Sequence, residues 1–257
     1  MPPSLCGVVG ETALHRLLTH LASQGASGDP AMKGEGTLAG LARSLDIYTA
    51  RLPAVHGLIT HPRLLDALAV LLGEELQLSP IQHLRPYVAA RGDRQPWPLH
   101  EWHQDMSVTT EEADGVEIIT CWLPLVDVDS GMGALQIHPD LAGPRQLLQT
   151  TSAGNHSGAR RRGGLIDEEV LPATPPLDAA GLRAGDLLLI SAFTPHHSTR
   201  NRSDKVRWSM DLRFQPAGTA SGRSQLPSFV VRSAGRPALE YSEWDAAWAA
   251  AEARAEA

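Results

Sequence analysis

His196-His197-Ser198-Thr199-Arg200-Asn201-Arg202-Ser203-Asp204-Lys205-Val206-Arg207 is the stretch of this chain from which fold and chemistry are both read. It offers a histidine that can ligate a metal and a hydroxyl two residues later. Eleven residues after His196 comes an arginine, at the head of an apolar run over residues 206–214. Its counterpart lies upstream, in Trp102-His103-Gln104-Asp105. In a strand, residues i and i+2 point to one face, so His103 and Asp105 are expected to aim into one cavity while Gln104 points away. A neutral imidazole and a carboxylate suit a borderline divalent metal. With a second histidine they form a facial triad that leaves three adjacent coordination positions open. An arginine can hold a planar carboxylate by two parallel hydrogen bonds and stays charged when desolvated. Ser198 can share that carboxylate with Arg207.

Outside these clusters the chain reads as short strands flanked by helices. Apolar runs bounded by turn residues occur at 76–84, 116–126, 132–138, 186–192 and 206–214. This rhythm predicts an antiparallel barrel or jelly roll rather than alternating β/α units. Residues 11–23 and 63–72 have helical periodicity, with Gly73 as a stop for the second. Residues 243–257 read as an Ala-rich helix with Trp244 and Trp248 on one face, packed outside the barrel. The expected organisation is one domain over 1–257. It comprises a helical region at 1–75, a strand core at 76–216 with a lid loop at 140–180, and a C-terminal extension and helix at 217–257. A structureless loop as long as 140–180 is usually functional or disordered.

Composition narrows the function. The formal charge is −7, and the only lysines are Lys33 and Lys205. A general nucleic-acid binder would need a basic stripe, so nucleic-acid partners are not expected. The one dense basic run, Arg160-Arg161-Arg162, reads as a solvated loop, with a contact to an anionic substrate as the alternative. Two cysteines, Cys6 and Cys121, provide neither a disulfide framework nor a thiolate zinc site. No signal peptide and no membrane-length apolar run is evident, so a cytoplasmic protein without a membrane partner is expected. The sequence says nothing about oligomeric state.

The chain resembles the phytanoyl-CoA dioxygenase family over about residues 76–216. The resemblance rests on Trp-His-Gln-Asp at 102–105, on Trp122-Leu123-Pro124-Leu125 followed by Gly131 and Gly133, and on Gly185-Asp186. It rests above all on His196-x-Ser198-x-x-Asn201-x-Ser203-Asp204-x-x-Arg207-Trp208-Ser209. It implies a mainly β fold, a double-stranded β-helix (jelly-roll, cupin-like) core with helices outside. It also implies Fe(II) as cofactor, with 2-oxoglutarate and O2 as co-substrates. His103, Asp105 and His196 would be the catalytic metal ligands. Arg207 and Ser198 would hold the distal carboxylate of 2-oxoglutarate, and Trp122 would line its pocket. Neighbours on a strand face opposite ways, and the family spacing selects His196 over His197 as the ligand. The reaction implied is decarboxylation of 2-oxoglutarate to succinate and CO2, coupled to oxidation of a C–H bond, most simply hydroxylation. Related halogenases replace the carboxylate ligand by a small residue, so Asp105 speaks against halogenation.

Two departures from the family pattern bear on the site. Ile137-His138-Pro139-Asp140-Leu141 stands where many members have Pro-Gly-Ser-His. Arg85-Pro86 stands near a lysine-proline pair of other members, which makes Gln82 or Arg85 a contact for the co-substrate. His100, three residues before His103, is a competing ligand without a carboxylate two residues on, and is placed at the mouth of the site. His100, Trp102, Met106, His138 and His156 are the residues expected to border the substrate cleft. They fit a medium-sized polar or amphipathic metabolite, with natural-product biosynthesis as one setting suggested by the Ala/Arg/Gly/Pro-rich composition. The alternative from another class is a jelly-roll protein that binds metal without oxidation, as a binding module or an isomerase.

Overall fold

The computed structural model describes residues 52–79, 82–89, 101–139, 146–148, 165–223 and 228–255. Two helices, α1 (Pro53–Ile59) and α2 (Pro62–Leu72), each begin with a proline, whose missing N–H costs nothing in a first turn. Gly73 closes α2 at φ 89°, as its sequence position implies. The helix expected at 11–23 lies outside the described residues. Among the described residues, no single helix is long and apolar enough to cross a membrane.

Among the described residues nine strands follow: β1 (Leu76–Leu78), β2 (His83–Tyr87), β3 (Ile119–Pro124), β4 (Leu135–Ile137), β5 (Leu177–Asp178), β6 (Leu188–Ser191), β7 (His196–Ser198), β8 (Arg207–Pro216) and β9 (Phe229–Arg232). A closing helix, α3, runs Tyr241–Ala255. The larger sheet has the order β6-β3-β8-β1-β9, with β2 also on β8, and the smaller has the order β5-β4-β7. Every pairing between them is antiparallel. This is the jelly-roll architecture implied by the sequence.

Three expectations are corrected. The apolar run 76–84 is two strands rather than one. Both lie on the same edge of β8, β1 against its end and β2 against its start. The run contains Pro80, which has no N–H for a ladder. The strand core does not stop at 216, because β9 pairs with β1. Of the expected lid at 140–180, residues 140–145 and 149–164, with Arg160–Arg162, lie outside the described residues. The part at 165–180 is not one structureless loop: it carries a 3-10 turn at Glu168–Val170 and then β5, which pairs with β4.

The central strand β8 sets the layers. Its even positions Trp208, Met210, Leu212 and Phe214 are all buried, and its odd positions Arg207, Ser209, Asp211 and Arg213 line the cavity between the sheets. This is the two-residue alternation of a strand with one apolar and one polar face. Met210, Leu212 and Phe214 join Ile119, Cys121 and Leu123 of β3 in a core covered by Ile59, Leu65 and Leu68, and by Phe229, Trp244 and Trp248. Burying each such side chain contributes about 1.5–3 kcal/mol. Trp244 packs on Phe229 at 4.3 Å between ring centroids, so α3 clasps the outside of the barrel as expected. A smaller core of Trp122, Leu135, Ile137 and Ile190 fills part of the space between the two sheets. The polar wall of the cavity is thus mounted on the best-packed strand of the fold.

Candidate metal and co-substrate site

His103 and His196 are brought face to face by an isolated antiparallel bridge. Each backbone N–H donates to the other's carbonyl, at 3.1 Å from His103 and 3.0 Å from His196. Both imidazoles are oriented in the same way. His103 Nδ1 donates to the Glu101 carbonyl and His196 Nδ1 to the Thr194 carbonyl, each at 2.9 Å. A carbonyl only accepts, so each ring carries a proton on Nδ1 and leaves Nε2 as the atom turned to a metal. Asp105 completes the group: one ligand atom from each of His103, Asp105 and His196 lies within 4.8 Å of the others. Asp105 Oδ1 stands 3.8 Å from His196 Nε2.

The route by which His103 and Asp105 converge differs from the strand expected. Only His103 is extended and bridged, while Asp105 opens a 3-10 turn at Asp105–Val108. Gln104 does turn away, for a specific reason. Its amide donates to the Phe193 carbonyl at 2.6 Å and the Gln146 carbonyl at 3.1 Å, and it accepts from the Leu148 N–H at 2.8 Å. His197 faces away from the triad, stacking on Trp102 at 4.1 Å and meeting Gln136 Oε1 at 3.0 Å. The register that selects His196 is therefore enforced on both faces of β7.

Asp105 is the most heavily braced residue of the site. Arg213 donates to it twice, from Nη2 to Oδ1 at 2.6 Å and from Nε to Oδ2 at 3.1 Å. Thr120 Oγ1 donates to Oδ2 at 2.7 Å. Burial opposes ionisation here, but the Arg213 guanidinium and the two imidazoles together hold the carboxyl well below the usual carboxylate range.

At the other end of the cavity lies Arg207, 1% exposed. Its Nη1 donates to the Gly133 carbonyl and, at 3.2 Å, to Ser198 Oγ. The guanidinium lies 4.6 Å from the Tyr87 ring centroid and 5.4 Å from that of Trp122, a cation between two aromatic walls. Burial lowers it to about 10, opposed by Asp211 and Tyr87, so it remains a cation at neutral pH. Gly133 has φ 77°, and a Cβ there would fall 2.5 Å from the Tyr87 ring and 2.8 Å from the Thr199 carbonyl. Only glycine lets Tyr87 and Thr199 approach this closely to the backbone whose carbonyl accepts from Arg207.

The donor sets fit the groups implied by the sequence. Two Nε2 atoms and a carboxylate are a mixed set for a divalent metal. Arg207 Nε and Ser209 Oγ are buried and have no hydrogen-bond partner in the structure, as expected of a wall awaiting a polar ligand. His196 and Ser198 are two apart on β7, which places the metal end and the carboxylate end of the cavity about 7 Å apart along the strand. A five-carbon dicarboxylate is matched to that span.

The remaining sequence candidates divide clearly. Trp122 and Ser198 line the cavity, and so does Arg85, which pairs with Asp211 at 3.4 Å. Gln82 does not: it shares the opposite face with Leu84, and its buried amide meets no partner there. Trp102, Met106 and His138, expected at the substrate cleft, are also outside the lining. Trp102 is stacked between His197 and His138, the latter at 4.8 Å. Met106 is packed against Ala113, Ile118, Ala192 and Phe193. Alternation explains the placement of Trp102, the neighbour of bridged His103, whereas Met106 is turned into its apolar cluster by the 3-10 turn. His100 and His156 lie outside the described residues. Sequence reasoning missed Thr120, Asp211 and Arg213, although each is an even number of residues from Trp122 or Arg207 and so shares its face.

The motif residue Asn201 has a structural task. It is fully buried and donates to the Tyr87 carbonyl at 2.7 Å and the Lys205 carbonyl at 2.8 Å. It accepts from Ser203 N–H and Oγ at 3.1 and 2.7 Å. This side chain builds the turn that leads β7 into β8, and so fixes His196 relative to Arg207.

The phytanoyl-CoA dioxygenase (PhyH) family matches the chain over residues 37–209. No curated protein sequence matches it. Among solved structures, the apo form of the non-heme monooxygenase ThoJ aligns at a TM-score of 0.58 and 18% identity, covering 96% of this chain and 86% of that one. The ThoJ–Ni complex aligns at a TM-score of 0.52, with the same identity and coverage. At this identity the likeness establishes a shared fold. With the family matched over more than half its length, the chain belongs to the phytanoyl-CoA dioxygenase family, and it is a 2-oxoglutarate-dependent non-haem iron enzyme.

Proposed function

We propose that this enzyme hydroxylates a C–H bond of a small-molecule metabolite, releasing succinate and CO2, and that natural-product tailoring is its setting. His103, Asp105 and His196 hold Fe(II), and Arg207 with Ser198 receives the distal carboxylate of 2-oxoglutarate. The observation that carries this reading is the placement of the triad and a buried arginine with an unpaired Nε in one cavity. When bound, iron supplies the activation of dioxygen. The protein's own part is binding, orientation and exclusion of water. The two Nδ1–carbonyl bonds keep both imidazoles aimed. Trp122 and Tyr87 keep water from the Arg207 charge pair, which strengthens it. The cation fixes one end of the co-substrate, so its keto acid end is delivered to the metal in a single orientation.

Succinate formation from 2-oxoglutarate, dependent on Fe(II), tests the activity. Screening metabolites for stimulated succinate release then identifies the substrate. Labelled dioxygen should place one oxygen atom in the product. A product that has lost two hydrogens without gaining oxygen would replace hydroxylation by desaturation or ring closure. A chain that binds Fe(II) but neither binds 2-oxoglutarate nor yields succinate would overturn the proposal.

A further inference from the structure

Arg213 and Thr120 face each other in register across β8 and β3, on the polar side of the larger sheet. Both reach the same carboxylate. An ionised carboxylate has about four lone-pair sites. On Asp105, Oδ2 accepts from Arg213 Nε and Thr120 Oγ1, which fills it. Oδ1 accepts from Arg213 Nη2 alone, and it is this oxygen that stands 3.8 Å from His196 Nε2. One acceptor site therefore remains, on the oxygen nearest the other ligands.

The geometry points to Arg213 and Thr120 as a clamp that makes Asp105 a one-oxygen ligand of the metal. This inference rests on the metal centre proposed above and goes beyond it. A carboxylate free to turn could bind through both oxygens and take a second position from the metal. Held at Oδ2 by two donors, Asp105 cannot swing that oxygen inward. Three positions are thereby kept for the two co-substrate donors and dioxygen. The clamp also holds the carboxylate in its ligating orientation before metal arrives, so less ordering remains to be done on binding. Arg213 and Thr120 are positioning residues: they act through Asp105.

The test uses Ni(II) affinity together with the visible d–d bands of Co(II), which report the number and geometry of donors. Arg213→Met should weaken Ni(II) binding by about 10- to 100-fold, the usual effect of removing an outer partner of a ligand. It should also change the Co(II) bands. Arg213→Lys keeps the cation but donates to one oxygen at a time, and should fall between Arg213→Met and the unaltered protein. Thr120→Val preserves shape and removes one donor, so a loss of about 10-fold is expected. It carries the test if circular dichroism shows Arg213→Met to be unfolded. If the arginine acted only as a nearby positive charge, its removal would tighten Ni(II) binding. Tighter or unchanged affinity in the folded variants, or unaltered Co(II) bands, overturns the clamp and leaves the metal centre standing. An unaltered protein that takes up no Ni(II) overturns both.

Discussion

Replacing Arg207 by methionine separates co-substrate binding from every other task of the cavity. The guanidinium is fully buried between Tyr87 and Trp122, and its Nε has no partner in the structure. A carboxylate that fills this gap meets a desolvated cation. Truncating one side of such a buried pair costs about 2–5 kcal/mol. With about 1.4 kcal/mol per factor of ten, the dissociation constant of 2-oxoglutarate should rise by at least about 30-fold. A separate effect falls on stability. The Gly133 carbonyl loses its donor, at a cost of about 1–3 kcal/mol, partly offset because a buried cation is removed. The two effects are read apart. Anaerobic titration of the Fe(II)-loaded protein with 2-oxoglutarate, followed in the visible band, gives affinity, and thermal melting gives stability. Arg207→Lys keeps the charge without the fork, so it should bind with intermediate affinity. Turnover at saturating 2-oxoglutarate should survive far better than KM. If folded, metal-loaded Arg207→Met binds 2-oxoglutarate within about threefold of the unaltered protein, a margin under 1 kcal/mol, Arg207 is not the anchor.

His196→Ala should abolish metal uptake, whereas His197→Ala should leave it intact and cost about 1–2 kcal/mol of stability by losing the Trp102 stack and the Gln136 bond. Metal titration and melting of the two variants distinguish them. Gly133→Ala should give a poorly folded protein or a markedly lower melting temperature, because its Cβ would press on the Tyr87 ring and the Thr199 carbonyl. Trp244→Ala should cost about 3–5 kcal/mol by chemical denaturation without altering metal affinity, since Trp244 packs on the face of the sheet away from the cavity. The pH dependence of 2-oxoglutarate affinity has a defined sign. Arg207 is a base lowered to about 10, so its charge is present below that pH and lost as pH rises through it. Its contribution to binding should be constant from neutral pH to about 9 and decline above 10.

The parts of the site that were legible in the sequence are those fixed by short-range geometry. His196, Ser198 and Arg207 lie within one turn and two strands, and Asn201 braces that turn. Strand alternation set His196 against His197, and the two rings do lie on opposite faces of β7. It also gave the right answer for Gln104 by the wrong element, because a bridge followed by a 3-10 turn happens to place His103 and Asp105 on the same side. What escaped was the support behind the ligands. Arg213 reads as an ordinary polar residue until β3 is laid beside β8, and no local pattern announces that pairing. Trp102 and His138 were read as cleft residues for the opposite reason. Aromatic and histidine side chains near a site suggest a cleft, but here they satisfy one another in a stack. The late strand β9 was missed because its four residues gain their order from β1, more than 150 positions earlier in the chain.

The two-sided character of β8 also constrains which sequence changes the fold can accept. Its cavity face holds the co-substrate anchor and the brace of the metal ligand, and its other face is joined to the helices. Substitution at an odd position strikes the co-substrate anchor or the brace of the metal ligand, and leaves the apolar core on the other face in place. Insertion or deletion of a single residue does something different. Every side chain beyond it would exchange faces, sending leucine and phenylalanine into the cavity and arginine into the apolar core. Length variation in this protein is therefore expected in the loops around the barrel, with the spacing from Arg207 to Phe214 held invariant.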